Sequence, residues 1–102
     1  MYLSIHADGG VSIHEADDCG RLHLTVSGVE HARADAALRA AGVGEMHGTE
    51  HAYLDLEALH ALARAASTAD GWAEKWQAMV DYARAKGWIG ADGRSVRVHV
   101  ER

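Results

Sequence analysis

The chain contains no proline and no phenylalanine, and Cys19 is its only cysteine. Without proline, sharp reversals fall to glycine and aspartate. A lone cysteine has no partner for an internal disulfide, which fits a reducing compartment, so a cytoplasmic protein is expected. No apolar run approaches the roughly 18–20 residues of a membrane span. The N-terminal stretch lacks a basic region and is broken by His6 and Asp8, so it does not have the form of a signal peptide. Cations are also scarce, with 10 Lys and Arg against 15 Asp and Glu and a net charge of -5. Phosphate backbones demand clustered Lys and Arg, so nucleic acid is not the expected partner.

Several chemical signatures are missing too. There is no GxSxG nucleophile turn. Gly42-Val43-Gly44 is too short for a phosphate loop and follows a helix where such a loop precedes one. No HExxH spacing or cysteine–histidine pattern marks a metal site. The expectation is a protein without a cofactor or a resident metal.

What remains suits one globular domain over residues 1–102, with 48% hydrophobic and 25% charged residues. Abundant alanine matches the codon composition of a GC-rich genome. A chain of this size can bury a core without disulfides, with little margin.

Alternation is the strongest signal. Leu3 and Ile5 alternate with Tyr2, Ser4 and His6, and Val11 and Ile13 alternate with Ser12 and His14. Asp8-Gly9-Gly10 reads as a three-residue hairpin loop pairing Ile5 with Ile13, His6 with Ser12 and Ser4 with His14. His6 and His14 are then diagonal neighbours. Leu22, Leu24 and Val26 alternate with His23 and Thr25 in a third strand. One register sets His23 opposite His14, another opposite Ser12. At the C-terminus Val96, Val98 and Val100 face in while Arg97, His99 and Glu101 face out. His99 joins the other histidines only if strand order permits.

Three helices are expected between these strands. The first carries a capping box, Ser27 with Glu30, runs through Val29, Ala32, Ala36 and Ala40, and stops at Gly42. Residues 43–52, with His47 and His51, read as a glycine-rich loop that could close over the histidines as a lid. Tyr53 and Leu54 form a short strand. Asp55 caps a second helix with Leu56, Leu59, Leu62, Ala63 and Ala66 inward. The third presents Trp72, Trp76, Met79, Val80 and Ala83 and ends at Gly87. Trp88 and Ile89 open a last hairpin in which an Asp92-Gly93 turn pairs Ile89 with Val96. The order βββ-α-(β)-α-α-ββ predicts an α+β two-layer sandwich, a mostly antiparallel sheet with helices on one face.

The open face then carries His6, His14, His23 and His99. Imidazoles titrate nearest neutrality, and clustering favours the neutral base suited to proton transfer. Three of them could also hold zinc with one open position, and a solvated polar face is the plain alternative. Glu15 falls on the apolar side by parity and is a candidate acid. Arg97 is a candidate anion holder. Trp72, Trp76 and Trp88 are candidates for an aromatic wall around a small molecule. Cys19 beside Asp17 and Asp18 is a poor thiolate.

The leading expectation is a small cofactor-independent enzyme or small-molecule binder of isomerase, cyclase or lyase type. The alternative is a regulator or protein-interaction module, with a homodimer as one form. Residues 55–101, in the order helix, helix, hairpin, loosely resemble a winged helix-turn-helix with Gly90–Arg94 as wing tip. That resemblance implies residues 72–86 as recognition helix, but their outward set of Glu74, Lys75, Gln77, Asp81, Arg84 and Lys86 has no basic stripe.

Overall fold

Period-two burial marks the inner face of most strands. In the computed structural model, which describes residues 1–101, strands β1 (Tyr2–Ile5), β2 (Val11–His14), β3 (His23–Val26), β4 (Gly44–His47), β5 (His51–Asp55) and β6 (Ser95–Glu101) form one sheet. Helices α1 (His31–Ala40), α2 (Leu56–Ala66) and α3 (Trp72–Ala85) complete the fold. Leu3, Ile5, Leu24, Val26, Leu54, Val96, Val98 and Val100 are buried in a core shared with Leu38, Leu59, Trp76 and Val80 from the helices. This is the expected α+β architecture, with helices on the apolar face of a curled, mixed sheet.

The strand order is β2-β1-β3-β6-β5-β4, with β1–β3 and β3–β6 parallel and the other pairs antiparallel. The first three strands are therefore not a meander. Parallel neighbours need a connection of about a dozen or more residues, and residues 6–22 supply it, with β2 built into the crossing. His23 lies beside Tyr2, not beside His14 or Ser12.

The first hairpin pairs Leu3 with Ile13 and Ile5 with Val11. Its loop is Ala7-Asp8-Gly9, because Gly9 (φ +90°) donates to the His6 carbonyl and His6 N–H donates to that of Gly10. The expected register set the loop one residue later. Every partner moves by two positions, which leaves each side chain on its expected face.

Residues 44–55 form a hairpin in the sheet and not a lid. Gly44 explains part of this: a Cβ there would lie 2.2 Å from the Tyr53 carbonyl oxygen. The residue that weakens a loop by composition here permits close strand approach. Gly48 (φ +70°) makes the turn.

Helix α1 starts at His31, and no capping box forms: Glu30 is the cap residue and makes no side-chain capping bond. Its buried face is Ala34, Ala37 and Leu38, not Ala32, Ala36 and Ala40. Asp55 caps α2 as expected, accepting from Ala58 N–H at 3.0 Å. Leu59 and Ala63 of α2 are buried, but Leu62 is 37% exposed. On α3 Trp72, Trp76, Val80 and Ala83 are buried, and Gly87 follows at φ +77°. The last hairpin reduces to the single bridge Ile89–Val96, so β6 is an interior strand between β3 and β5. A wing stands free, whereas this strand is paired on both sides.

The crossing segment is tied to the helices by Asp17. Its carboxylate accepts from Ser67 Oγ at 2.6 Å, Thr68 N–H and Oγ1 at 3.0 Å each, and Ala69 N–H at 3.2 Å. Beside it the buried Trp72 Nε1–H donates to the Ala16 carbonyl at 2.8 Å. The Ser67 hydroxyl, followed by Thr68 N–H, lowers the Asp17 pKa from 3.8 to about 2. A depressed carboxyl pKa stabilises the fold above the ordinary value, and that contribution fades as pH falls through the folded value.

Two outcomes follow. Asp17→Asn should lower the urea midpoint at pH 7, and its gap from the parent should close between pH 3.8 and about 2. A gap unchanged across that window would show that the carboxylate charge is immaterial. Gly44→Ala should destabilise by more than ~2 kcal/mol, because backbone has to move. Gly48→Ala, with open space around its Cβ, should cost only the ~1–2 kcal/mol of a left-handed residue. Equal losses in chemical denaturation would refute the close-approach role of Gly44.

Candidate functional site

The register of the sheet sets six ring-bearing residues in one row. Reading across the strands, His14 pairs with Tyr2, Tyr2 with His23, His23 with His99, His99 with His51 and His51 with His47. One residue comes from each strand, and all lie opposite the core. Of the predicted histidines, His14, His23 and His99 are in this row. His6 lies beyond the end of β1, where Ser12 bridges it to the row: Ser12 Oγ is 2.5 Å from His6 Nε2 and 3.3 Å from His14 Nε2.

The row has two halves. In the first, Tyr2 is stacked between His14 and His23, with centroids 4.9 Å away on each side and planes inclined by 19° and 15°. His23 Nδ1 donates to the Arg21 carbonyl at 2.8 Å, and its Nε2 lies 3.3 Å from the Glu101 carboxylate. Both nitrogens thus face oxygens, which fixes the ring. In the second half His51 and His99 meet edge to face at 6.2 Å, and His47 meets Tyr53 the same way at 5.0 Å.

The sequence assigns His47 and His51 to a loop and does not single out Tyr2, so the row is not read from it in full. The signal was present: Glu45 and His47 alternate with Met46, and His51, Tyr53 and Asp55 alternate with Ala52 and Leu54. Gly48 masked it by suggesting a loop.

A cavity of about 620 Å³ opens at the middle of the row. β6 runs past the start of β3, and there its neighbour on that side is the short bridge at Ile89. This notch lets one cavity take residues from both faces of β6: Val96 and Val98 from the inner, Arg97 and His99 from the outer. His51, the 3₁₀ turn Cys19–Arg21, α3 and Trp88 complete it. Trp88 meets Tyr82 edge to face at 5.6 Å, and Tyr82 is 56% exposed.

The other candidates lie elsewhere. Trp72 and Trp76 pack on each other at 5.6 Å and on His60 at 5.2 and 5.0 Å, away from this lining. Glu15 is exposed just past β2 with φ 52°, so parity ended before it and it is not on the apolar face. Burial, then the neighbouring Asp18, pushes the Cys19 thiol up, partly offset by the N-terminal ammonium. No group of three or more His, Cys, Asp or Glu among the described residues is placed to hold a metal ion. No helix among them is long and apolar enough to cross a membrane. No family model, curated protein or solved structure matches this chain.

The Tyr2 sandwich gives a direct test. The ring protons of His14 and His23 should be shifted upfield in NMR spectra by the phenol between them, and Tyr2→Leu should abolish both shifts. The same variant should lose ~0.5–1.5 kcal/mol of stacking in addition to buried area. Unchanged histidine shifts in Tyr2→Leu would exclude the stack in solution.

Proposed function

We propose that the chain is a cofactor-independent enzyme acting on a small molecule, with the notch beside β6 as its substrate seat and His51 and His99 as its proton-transfer pair. The observation that carries this reading is the coincidence of the cavity with the centre of the imidazole row. A lone histidine on an open sheet is solvated surface. Here His51 and His99 border a recess with apolar walls, where a bound substrate would exclude water and bring a C–H or O–H within reach of an imidazole.

The geometry suits one base and one acid. The two imidazoles stand on adjacent strands at directly paired positions and meet edge to face, so a substrate seated in the recess beside them meets a proton acceptor and a proton donor without domain motion. Arg97, one pleat along β6, is placed to hold negative charge that develops on an oxygen as the proton leaves. Isomerisation, cyclisation and elimination by proton transfer can each use such a base, acid and cation. His14 and His23, fixed by Tyr2, Arg21 and Glu101, shape the adjoining face.

Proton abstraction can be tested across a range of carbon acids. A panel of β-keto, α-keto and α-aryl carbonyl compounds is incubated with the protein in D2O, and C–H to C–D exchange is followed by NMR. At least one compound should exchange faster than with free imidazole at equal concentration. His99→Gln and His51→Gln should each reduce that rate by ~10²-fold or more, the usual scale of general acid–base catalysis, with melting temperatures unchanged. Absence of accelerated exchange across the panel, or acceleration that survives both substitutions, would overturn the assignment.

A further inference from the structure

The electrostatics of the cavity go further than its position. The chain has 15 acidic residues and a net charge of -5, yet no aspartate or glutamate lines this recess. Its charged and titratable groups are Arg21, Arg97, His51, His99, the Tyr82 phenol and the Cys19 thiol, and the thiol, pushed up by burial, adds no negative charge at neutral pH. Two other arginines are paired with acids, Arg39 with Asp35 and Glu45 and Arg84 with Asp81 at 3.9 Å. Arg21 and Arg97 form no ion pair among the described residues. Arg97 is half-buried.

A guanidinium held beside apolar surface has lost part of its hydration, and an oxyanion with paired acceptors replaces it well. The remaining wall is apolar and aromatic, from Leu22, Met79, Val98 and Trp88, with Tyr82 at the rim. At about 620 Å³ the space matches a small organic molecule and greatly exceeds what a free phosphate or sulfate fills.

We infer that the ligand of this site is an amphipathic organic anion, a flat apolar body lying against Trp88 and Met79 with a carboxylate or similar oxyanion held by Arg97 and Arg21. The inference rests on the preceding reading that this recess is the ligand seat, and it adds the chemical class.

A matched pair of probes separates charge from shape. 2-Naphthylacetate and its neutral amide are titrated into the intact protein and followed by amide NMR shifts. The carboxylate should move resonances of β6, the 19–22 turn and Trp88, and should bind at least ~10-fold more tightly than the amide, as expected for a charge-assisted contact. Arg97→Gln should reduce that preference to less than about 3-fold, and Arg97→Lys should restore part of it. Arg84→Gln, outside the cavity, should leave it intact. Inorganic phosphate alone should bind far more weakly than 2-naphthylacetate.

Equal binding of acid and amide, no binding of the acid up to about 10 mM, or phosphate as tight as the acid would each overturn the inference. Failure here is separable from failure of the proton-transfer assignment. The His51→Gln/His99→Gln double variant should still prefer the acid. Accelerated C–H exchange confined to uncharged compounds would leave the imidazole pair standing while removing the anion.

Discussion

The burial of three valines on β6 constrains everything else. Val96, Val98 and Val100 enter the core, so Arg97, His99 and Glu101 must leave it. A slip of one residue would drive a guanidinium, an imidazole and a carboxylate into a core that holds no buried charge among the described residues. With β6 locked between β3 and β5, the partners of His99 are fixed as His23 and His51. The imidazole row is thus a by-product of hydrophobic registry: apolar side chains choose the alignment, and the rings on the far side inherit it.

How much of this was legible in the sequence depends on the range of the interaction. Inside and outside of each strand could be read from Leu3, Ile5, Val11, Ile13, Leu24 and the valines, because period two is local. The Asp55 cap and the α3 stripe are local as well. Strand order is not. Nothing near His23 says that β3 pairs with β1 in parallel, since that pairing depends on a crossing segment held by Asp17 and Trp72 to helices some fifty residues away. The hairpin error shows the same division. Shifting a loop by one residue changed every partner and no face.

The candidate site was half legible for the same reason. His14, His23 and His99 were placed on the open face by parity alone. His47 and His51 are not legible because glycine by composition signals irregular backbone, whereas Gly44 marks a backbone approached too closely for a side chain. Glu15 shows parity carried too far, since alternation stops where the backbone turns to positive φ. The cavity was beyond sequence reasoning, because it arises from a mismatch in length between neighbouring strands.

The attachment of Asp17 also has a mechanical meaning. One wall of the cavity is the turn that begins two residues after Asp17, and the opposite wall is α3, which begins three residues after Ala69. The carboxylate, together with the Trp72–Ala16 bond, is therefore a cross-brace between the two walls. The spacing of the two walls is thus held by a clasp whose residues lie outside the cavity lining, and a change there would be felt as a change in the shape of the recess.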